Sequence, residues 1–274
     1  MQGKTHKHTN KTAIKQQKQQ MSTEKKTALI TGASSGIGKA TAVHLAEMGY
    51  QLVLCGRNAV RLNEVALDLA KKTLVQTLLF DVVNKTAVLD AIASLKEPFN
   101  EIDVLVNNAG NAHGLDLFQD ASLEDWDAML DINVKGLLYV TKAILPGMLT
   151  RKKGHIIHIG STAGKEVYPK GNVYCASKHA VDAINNAMRI DLNGTGIKVG
   201  AIHPGLVETS FSEVRFKGDQ DRAAQVYKGF APLQASDIAD VIGFVISRPY
   251  HVNIADLIVM PTAQANSTTL FKGN

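Results

Sequence analysis

From residue 27 onward, short apolar runs alternate with longer stretches in which apolar residues recur at helical spacing. Residues 27–31, 51–54, 74–80, 102–106, 155–159, 198–202 and 257–260 are rich in Val, Ile and Leu and mostly bounded by Gly, Asn or Asp. Runs that are apolar on both faces suit strands of a covered parallel sheet. Between them, residues 38–48 align Ala42, Leu45 and Ala46, and residues 60–70 align Leu62, Val65, Ala66 and Leu69. Each set marks one face of a helix. Residues 173–192 and 236–247 read the same way, with Ser236 as an N-cap. Strand–helix alternation predicts an α/β fold: a doubly wound parallel sheet of about seven strands with helices on both faces. No break in composition divides residues 25–265, so a single domain spanning 21–274 is expected.

Composition adds little to this until charge is located. The chain has 274 residues, 45% of them hydrophobic, and carries 30 Lys and Arg against 25 Asp and Glu. Lys4, Lys7, Lys11, Lys15 and Lys18 fall in residues 1–20, which hold no acid, so the rest of the chain is balanced. A nucleic-acid-binding body needs a basic surface, and none is expected. Nonspecific nucleic-acid contact through the tail is the poorer reading, because residues 1–20 contain neither arginine nor aromatic residues. With almost nothing to bury, residues 1–20 read as a disordered basic tail, and Met21 as a more natural start. Cys55 and Cys175 are too few for a disulfide framework or a zinc cluster. In a strand, His155 and His158 would point to opposite faces, so no metal is expected. Neither a membrane-length apolar run nor the apolar core of a signal peptide is present, so a cytoplasmic protein is expected.

The first strand runs through Thr31-Gly32-Ala33-Ser34-Ser35-Gly36-Ile37-Gly38 directly into a helix. Such a tight turn uses the φ freedom of glycine. Bare backbone at a helix N-terminus also seats a pyrophosphate, so a Rossmann-type dinucleotide site is expected. In NAD sites an acid at the end of the second strand takes the ribose hydroxyls. Here that strand ends Cys55-Gly56-Arg57 with no carboxylate, and Arg57 suits a 2′-phosphate, so NADP is the expected cofactor. Asp81 and Val82 end the third strand; Asp81 is a candidate acceptor for the adenine amine, or equally a helix N-cap.

Tyr174 and Lys178 stand four apart on one helix face. A neighbouring ammonium favours phenolate and lowers a phenol pKa that is otherwise near 10. Ser161, at the end of the fifth strand, lies at the carboxyl edge of the sheet where such folds bind ligands. A serine there can donate to a substrate oxygen as charge develops.

At this point the motifs resemble the short-chain dehydrogenase/reductase family over nearly the whole chain from about residue 25. The resemblance rests on the glycine turn 31–38, Asn107-Asn108-Ala109-Gly110, Asn133 in Asp-Ile-Asn-Val-Lys-Gly136, Ser161, Tyr174 with Lys178, and Pro204-Gly205. It implies a catalytic set of Asn133, Ser161, Tyr174 and Lys178. Tyr174 would be the acid/base, Ser161 the partner of the substrate oxygen, and Lys178 the ligand of the nicotinamide ribose. Asn133 would hold a water linking Lys178 to solvent. Asn108, Ala109, Pro204, Gly205, Val207 and Thr209 would line the cofactor, and a homotetramer built on the helices of Asn133 and Tyr174 is implied. His203 stands where Asn is common before Pro-Gly, and is expected not to affect the chemistry.

Residues 160–164, 168–174, 214–219, 251–254 and 260–264 further resemble NADP-dependent 3-hydroxy acid dehydrogenases. That implies small hydroxy acid substrates: serine, allo-threonine, 3-hydroxyisobutyrate and 3-hydroxypropionate or its semialdehyde. Arg215 is the candidate clamp for their carboxylate, with Lys217 as the fallback, on a lid over residues 206–230 punctuated by Gly218 and Gly229. Two other readings share the fold. A 3-oxoacyl carrier protein reductase would want a basic docking surface, which the balanced body lacks. A non-catalytic NADP-binding protein would have no need for the intact Ser, Tyr, Lys and Asn.

Overall fold

The computed structural model describes residues 25–273. The expected tail at 1–20, and the residues that join it to the fold, lie outside the described residues. The strands are β1 (Thr27–Thr31), β2 (Gln51–Gly56), β3 (Val75–Leu79), β4 (Val104–Asn107), β5 (Gly154–Ile159), β6 (Ile197–Pro204), the short β7 (Val207–Glu208) and β8 (Leu233–Gln234), and β9 (Asp256–Val259). Seven of them form one sheet in the order β3-β2-β1-β4-β5-β6-β9, every pair parallel. β7 and β8 pair separately. The reversal between β1 and β4 opens a crevice at the carboxyl edge, where a doubly wound sheet receives its ligand.

The helices are α1 (Gly36–Glu47), α2 (Ala59–Leu69), α3 (Lys85–Ala93), α4 (Leu123–Leu130), α5 (Leu137–Arg151), α6 (Asn172–Asp191), α7 (Phe211–Arg215), α8 (Gln220–Tyr227) and α9 (Ala235–Ser247). Side chains that alternate along the strands feed two cores. Ala28 and Ile30 pack with Leu45 of α1, Leu62 of α2 and Ile242 of α9. Leu29, between them, packs with Val88 of α3 and Ile144 of α5 on the other face. Burial on both faces holds for the central strands. The edges β3 and β9 are only half covered, with Leu79 58% and Ile258 48% exposed.

Two local expectations need correction. Helix α9 is capped by Gln234, in a reciprocal capping box with Asp237, so Ser236 lies inside the helix rather than at its N-cap. Asp81 does not cap a helix: Asn84 does, its side chain accepting from Ala87 N–H. The segment 206–230 holds two short helices, α7 and α8, ended at Gly218 (φ +93°) and Gly229 (φ +90°). Among the described residues no helix is long and apolar enough to cross a membrane.

Candidate active site

β1 ends in a turn whose Gly32 and Gly36 have φ of +65° and +51°, conformations that side chains resist. A Cβ on Gly38 would lie 2.5 Å from Asn108 Nδ2 and 2.8 Å from the Gly32 carbonyl carbon, so α1 starts hard against the turn. Thr31 Oγ1 accepts the N–H groups of Asn108 and Ala109, each at 3.0 Å, and Asn108 Nδ2 donates to Thr31 O at 2.8 Å. The ends of β1 and β4 are thereby tied together beneath the crevice. Ser35 stands at the N-cap of α1 without capping it, and the first turn holds no acid. The first amides of α1 therefore remain open to an anion, which is what a dinucleotide pyrophosphate requires.

Above this turn lies a cavity of about 510 Å³. Its wall gathers Gly32, Ser34, Ser35, Gly36, Ile37, Arg57, Asp81, Val82, Asn108, Ala109, Pro204, Gly205, Val207 and Thr209, together with Ser161, Tyr174, Lys178 and Arg215. Gly38 and Asn133 lie behind the wall. The Arg57 side chain is 65% exposed at the cavity mouth, with Nη1 3.4 Å from Asp81 Oδ2. Asp81 also accepts Val83 N–H at 3.2 Å. The residues present thus fit a dinucleotide with a phosphate near Arg57.

Tyr174 and Lys178 occupy consecutive turns of α6, both buried. Lys178 Nζ donates to Ile159 O at 3.0 Å, anchoring α6 on the end of β5. Ser161 follows that strand, its Oγ accepting Ala163 N–H at 3.1 Å. Burial brings the Lys178 ammonium down to about 8. Burial also pushes the Tyr174 phenol up; neighbouring Tyr168 adds to this, while Ser161 and Arg215 pull it back. The lowering expected from Lys178 is not seen: Lys178 is not among the groups that act on the phenol, and desolvation, which penalises the phenolate, dominates.

Asn133 sits in a π-helical turn, residues Asp131–Gly136, that joins α4 to α5. Its Oδ1 accepts Asn111 N–H at 2.8 Å, and its Nδ2 donates to Asn111 O at 2.8 Å and to Ser177 Oγ at 3.0 Å. A Cβ on Gly110 would come 3.0 Å from Asn133 Oδ1 and 3.5 Å from Lys178 Nζ. Gly110 therefore keeps a slot between these two side chains that any larger residue would fill. Its motif is visible in the sequence, but its role is not.

Segment 206–230 is tied to Gly114 and Tyr168, partners that the sequence did not assign to Arg215. Arg215 Nε donates to Gly114 O at 3.2 Å, Gly114 N–H donates back to Arg215 O at 3.0 Å, and Arg215 Nη2 donates to Tyr168 Oη at 2.9 Å. The guanidinium lies 5.3 Å from the centre of the Tyr174 ring. Lys217, the fallback cation, instead pairs with Asp125 at 3.0 Å and does not line the cavity.

Known proteins share this arrangement. An NADP-dependent 3-hydroxy acid dehydrogenase of Salmonella typhi is 44% identical over 238 residues, 86% of this chain and 95% of its own length. Sulfoacetaldehyde reductase 2 of Chromohalobacter salexigens is also 44% identical, over 86% of this chain and 94% of its own. The closed form of serine dehydrogenase complexed with NADP+ matches with a TM-score of 0.85 at 41% identity, covering 90% of this chain and 100% of that one. The family model for short chain dehydrogenase matches residues 26–220. On this match and these identities, the chain belongs to the short chain dehydrogenase family.

Proposed function

We propose that this oxidoreductase uses NADP to interconvert short 3-hydroxy acids, of the serine, allo-threonine, 3-hydroxyisobutyrate and 3-hydroxypropionate type, with their 3-oxo acids or semialdehydes. The observation that carries the reading is Arg215, a lid cation held against the Tyr174 ring inside the cavity. With Nε and one Nη2 hydrogen engaged, its remaining N–H groups have no partner among the described residues and can take a carboxylate. A short hydroxy acid bound there would have its hydroxyl carbon beside Tyr174. The relative from Salmonella typhi and the NADP+-bound serine dehydrogenase support cofactor and substrate class by name.

When bound, NADP+ supplies the two-electron acceptor. Tyr174 Oη takes the hydroxyl proton in oxidation and returns it in reduction. Ser161 Oγ donates to the substrate oxygen, opposing the charge that develops there. Lys178, beside the slot at Gly110, binds the nicotinamide ribose and favours the phenolate once a second positive charge is near. Asn133, with both Nδ2 hydrogens already spent, would hold a water beside Gly110 only as an acceptor, and Arg57 would hold the 2′-phosphate.

Exposed apolar side chains on α4, α5 and α6, among them Leu130, Leu138 and Ile190, support a homotetramer built on these helices. Light scattering at micromolar concentration is expected to give four copies, and a monomer would remove that part. Substrate and cofactor are tested together by following NADPH formation from NADP+, and NADH formation from NAD+, with 3-hydroxy acids, a short hydroxy sulfonate, uncharged alcohols and acyl-carrier substrates. Hydroxy acids with NADP+ should give the highest kcat/KM. Preference for the acyl-carrier or uncharged set would overturn the reading.

A further inference from the structure

His203 lies on β6 directly behind Ser161, fully buried. Its Nδ1 is 3.3 Å from the Ser161 carbonyl oxygen, and its Nε2 is 2.7 Å from Asp256 Oδ1 on β9. The ring has room only because residue 160 is glycine: a Cβ there would come 2.7 Å from His203 Cε1. Around the ring stand four charged or titratable groups. Asp182 comes from α6, Asp256 from β9, and Lys165 from the turn after Ser161, while His158 approaches from β5. Lys165 Nζ lies 2.8 Å from Asp182 Oδ1 and 2.6 Å from Asp256 Oδ2. The ammonium thus fills the place between the two carboxylates that a metal ion would need.

A carbonyl and a carboxylate oxygen can only accept. A neutral imidazole has one N–H, so it satisfies one of these contacts and turns a lone pair toward the other. The imidazolium presents a proton to each: Nδ1–H bonds the Ser161 carbonyl, and Nε2–H meets Asp256 at ion-pair distance, outside hydrogen-bond alignment. It also balances the cluster, two cations against two carboxylates. We propose that His203 is a positioning residue: as an imidazolium held by Asp256, it donates to the Ser161 carbonyl and fixes the backbone that carries the Ser161 hydroxyl.

The backbone is then pinned at three consecutive residues. Lys178 Nζ donates to Ile159 O at 3.0 Å, Gly160 N–H donates to Ile202 O at 2.8 Å, and His203 donates to Ser161 O. The inference rests on reading Ser161 as the partner of the substrate oxygen. Burial and then Lys165 pull the His203 pKa below its ordinary 6.5, while Asp256 and Asp182 oppose them. His158, kept neutral by burial with a pKa of about 4, adds no charge across the window. The cationic, bonded form is therefore full at low pH and is lost as pH rises through the His203 pKa.

The test is the pH profile of kcat for reduction by NADPH of the preferred 3-oxo substrate, using the full chain. In this direction the Tyr174 phenol remains protonated throughout the window. The wild type should lose roughly tenfold in kcat as His203 deprotonates, the worth of one charge-assisted bond. His203→Asn, which keeps a donor but cannot titrate, should lack that limb. Asp256→Asn should move the limb to lower pH, with KM for NADPH unchanged in both variants. A limb unaltered in His203→Asn overturns the inference; should that variant fail to fold, an unmoved limb in Asp256→Asn does so. Ser161→Ala separates the two readings. If it keeps wild-type turnover, the role of Ser161 fails; if it is inactive while His203→Asn keeps the wild-type profile, only the role of His203 fails.

Discussion

Replacing Arg215 with Ala separates recognition of a charged substrate from closure of the lid. Two of its hydrogen bonds, to Gly114 O at 3.2 Å and Tyr168 Oη at 2.9 Å, close the lid whatever occupies the cavity. At roughly 0.5–1.5 kcal/mol each, their loss weakens every substrate by about 1–3 kcal/mol. The carboxylate contact is charge-assisted, worth about 1.5–3 kcal/mol, and its loss falls on hydroxy acids alone. The ratio of kcat/KM for a 3-hydroxy acid to that for an uncharged alcohol of similar shape should therefore drop roughly 10- to 150-fold. Most of this drop should appear in KM, because the carboxylate is equally charged in ground and transition states. Arg215→Lys should recover part of the ratio, since it restores charge without the parallel donors. Initial rates of NADPH formation with both substrates provide the assay. If both fall by the same factor, Arg215 holds the lid and the carboxylate is bound elsewhere.

Three further outcomes are expected. Tyr174→Phe should keep NADP+ affinity and lose about 10²–10⁴-fold in kcat, because only the phenolic oxygen exchanges the proton; more than a tenth of wild-type turnover would exclude Tyr174 as acid/base. Arg57→Asp should raise KM for NADP+ far more than for NAD+, since a second carboxylate would then stand beside Asp81 at the 2′-phosphate position. An unchanged preference would disprove that assignment. Deleting residues 1–20, whose sequence is nearly devoid of apolar side chains, should leave Tm and specific activity within error. A clear loss of either would give those residues a docking site on the body.

The sheet and the glycine turn were legible because their signals are local. Apolar runs coincide with β1, β2 and β4–β6, and Gly32 and Gly36 occupy positive φ in the turn where their spacing put them. Helix α3 was missed because it buries only Val88 and Ile92, too narrow a stripe to stand out. The rod made by α4 and α5 was visible only in part. A π turn shifts its register at Asp131–Gly136, and Pro146 interrupts the later pattern. Ser236 looked like a cap because its residue type favours that role, yet Gln234 and Asp237 satisfy the amides first. In the site, residue types were readable and partners were not. Arg215 meets Gly114 across 101 positions, and Lys217 is drawn off by Asp125. The neighbours of His203 in the sequence, Pro204 and Gly205, say nothing of its contacts, which are with Ser161, Asp182 and Asp256, all distant in sequence.

The two-way bond between Gly114 and Arg215 has a consequence for turnover. In the proposed reaction the substrate's carboxylate is the same before and after hydride transfer, so the latch grips product as firmly as reactant. Discrimination at this point is a checkpoint on entry, passed by any short anion of suitable shape, and supplies no push for departure. Exit then requires the Arg215–Gly114 bonds to release, in competition with a fresh anion recapturing the same guanidinium. An enzyme that performs the proposed reaction with this latch should slow as its own product accumulates.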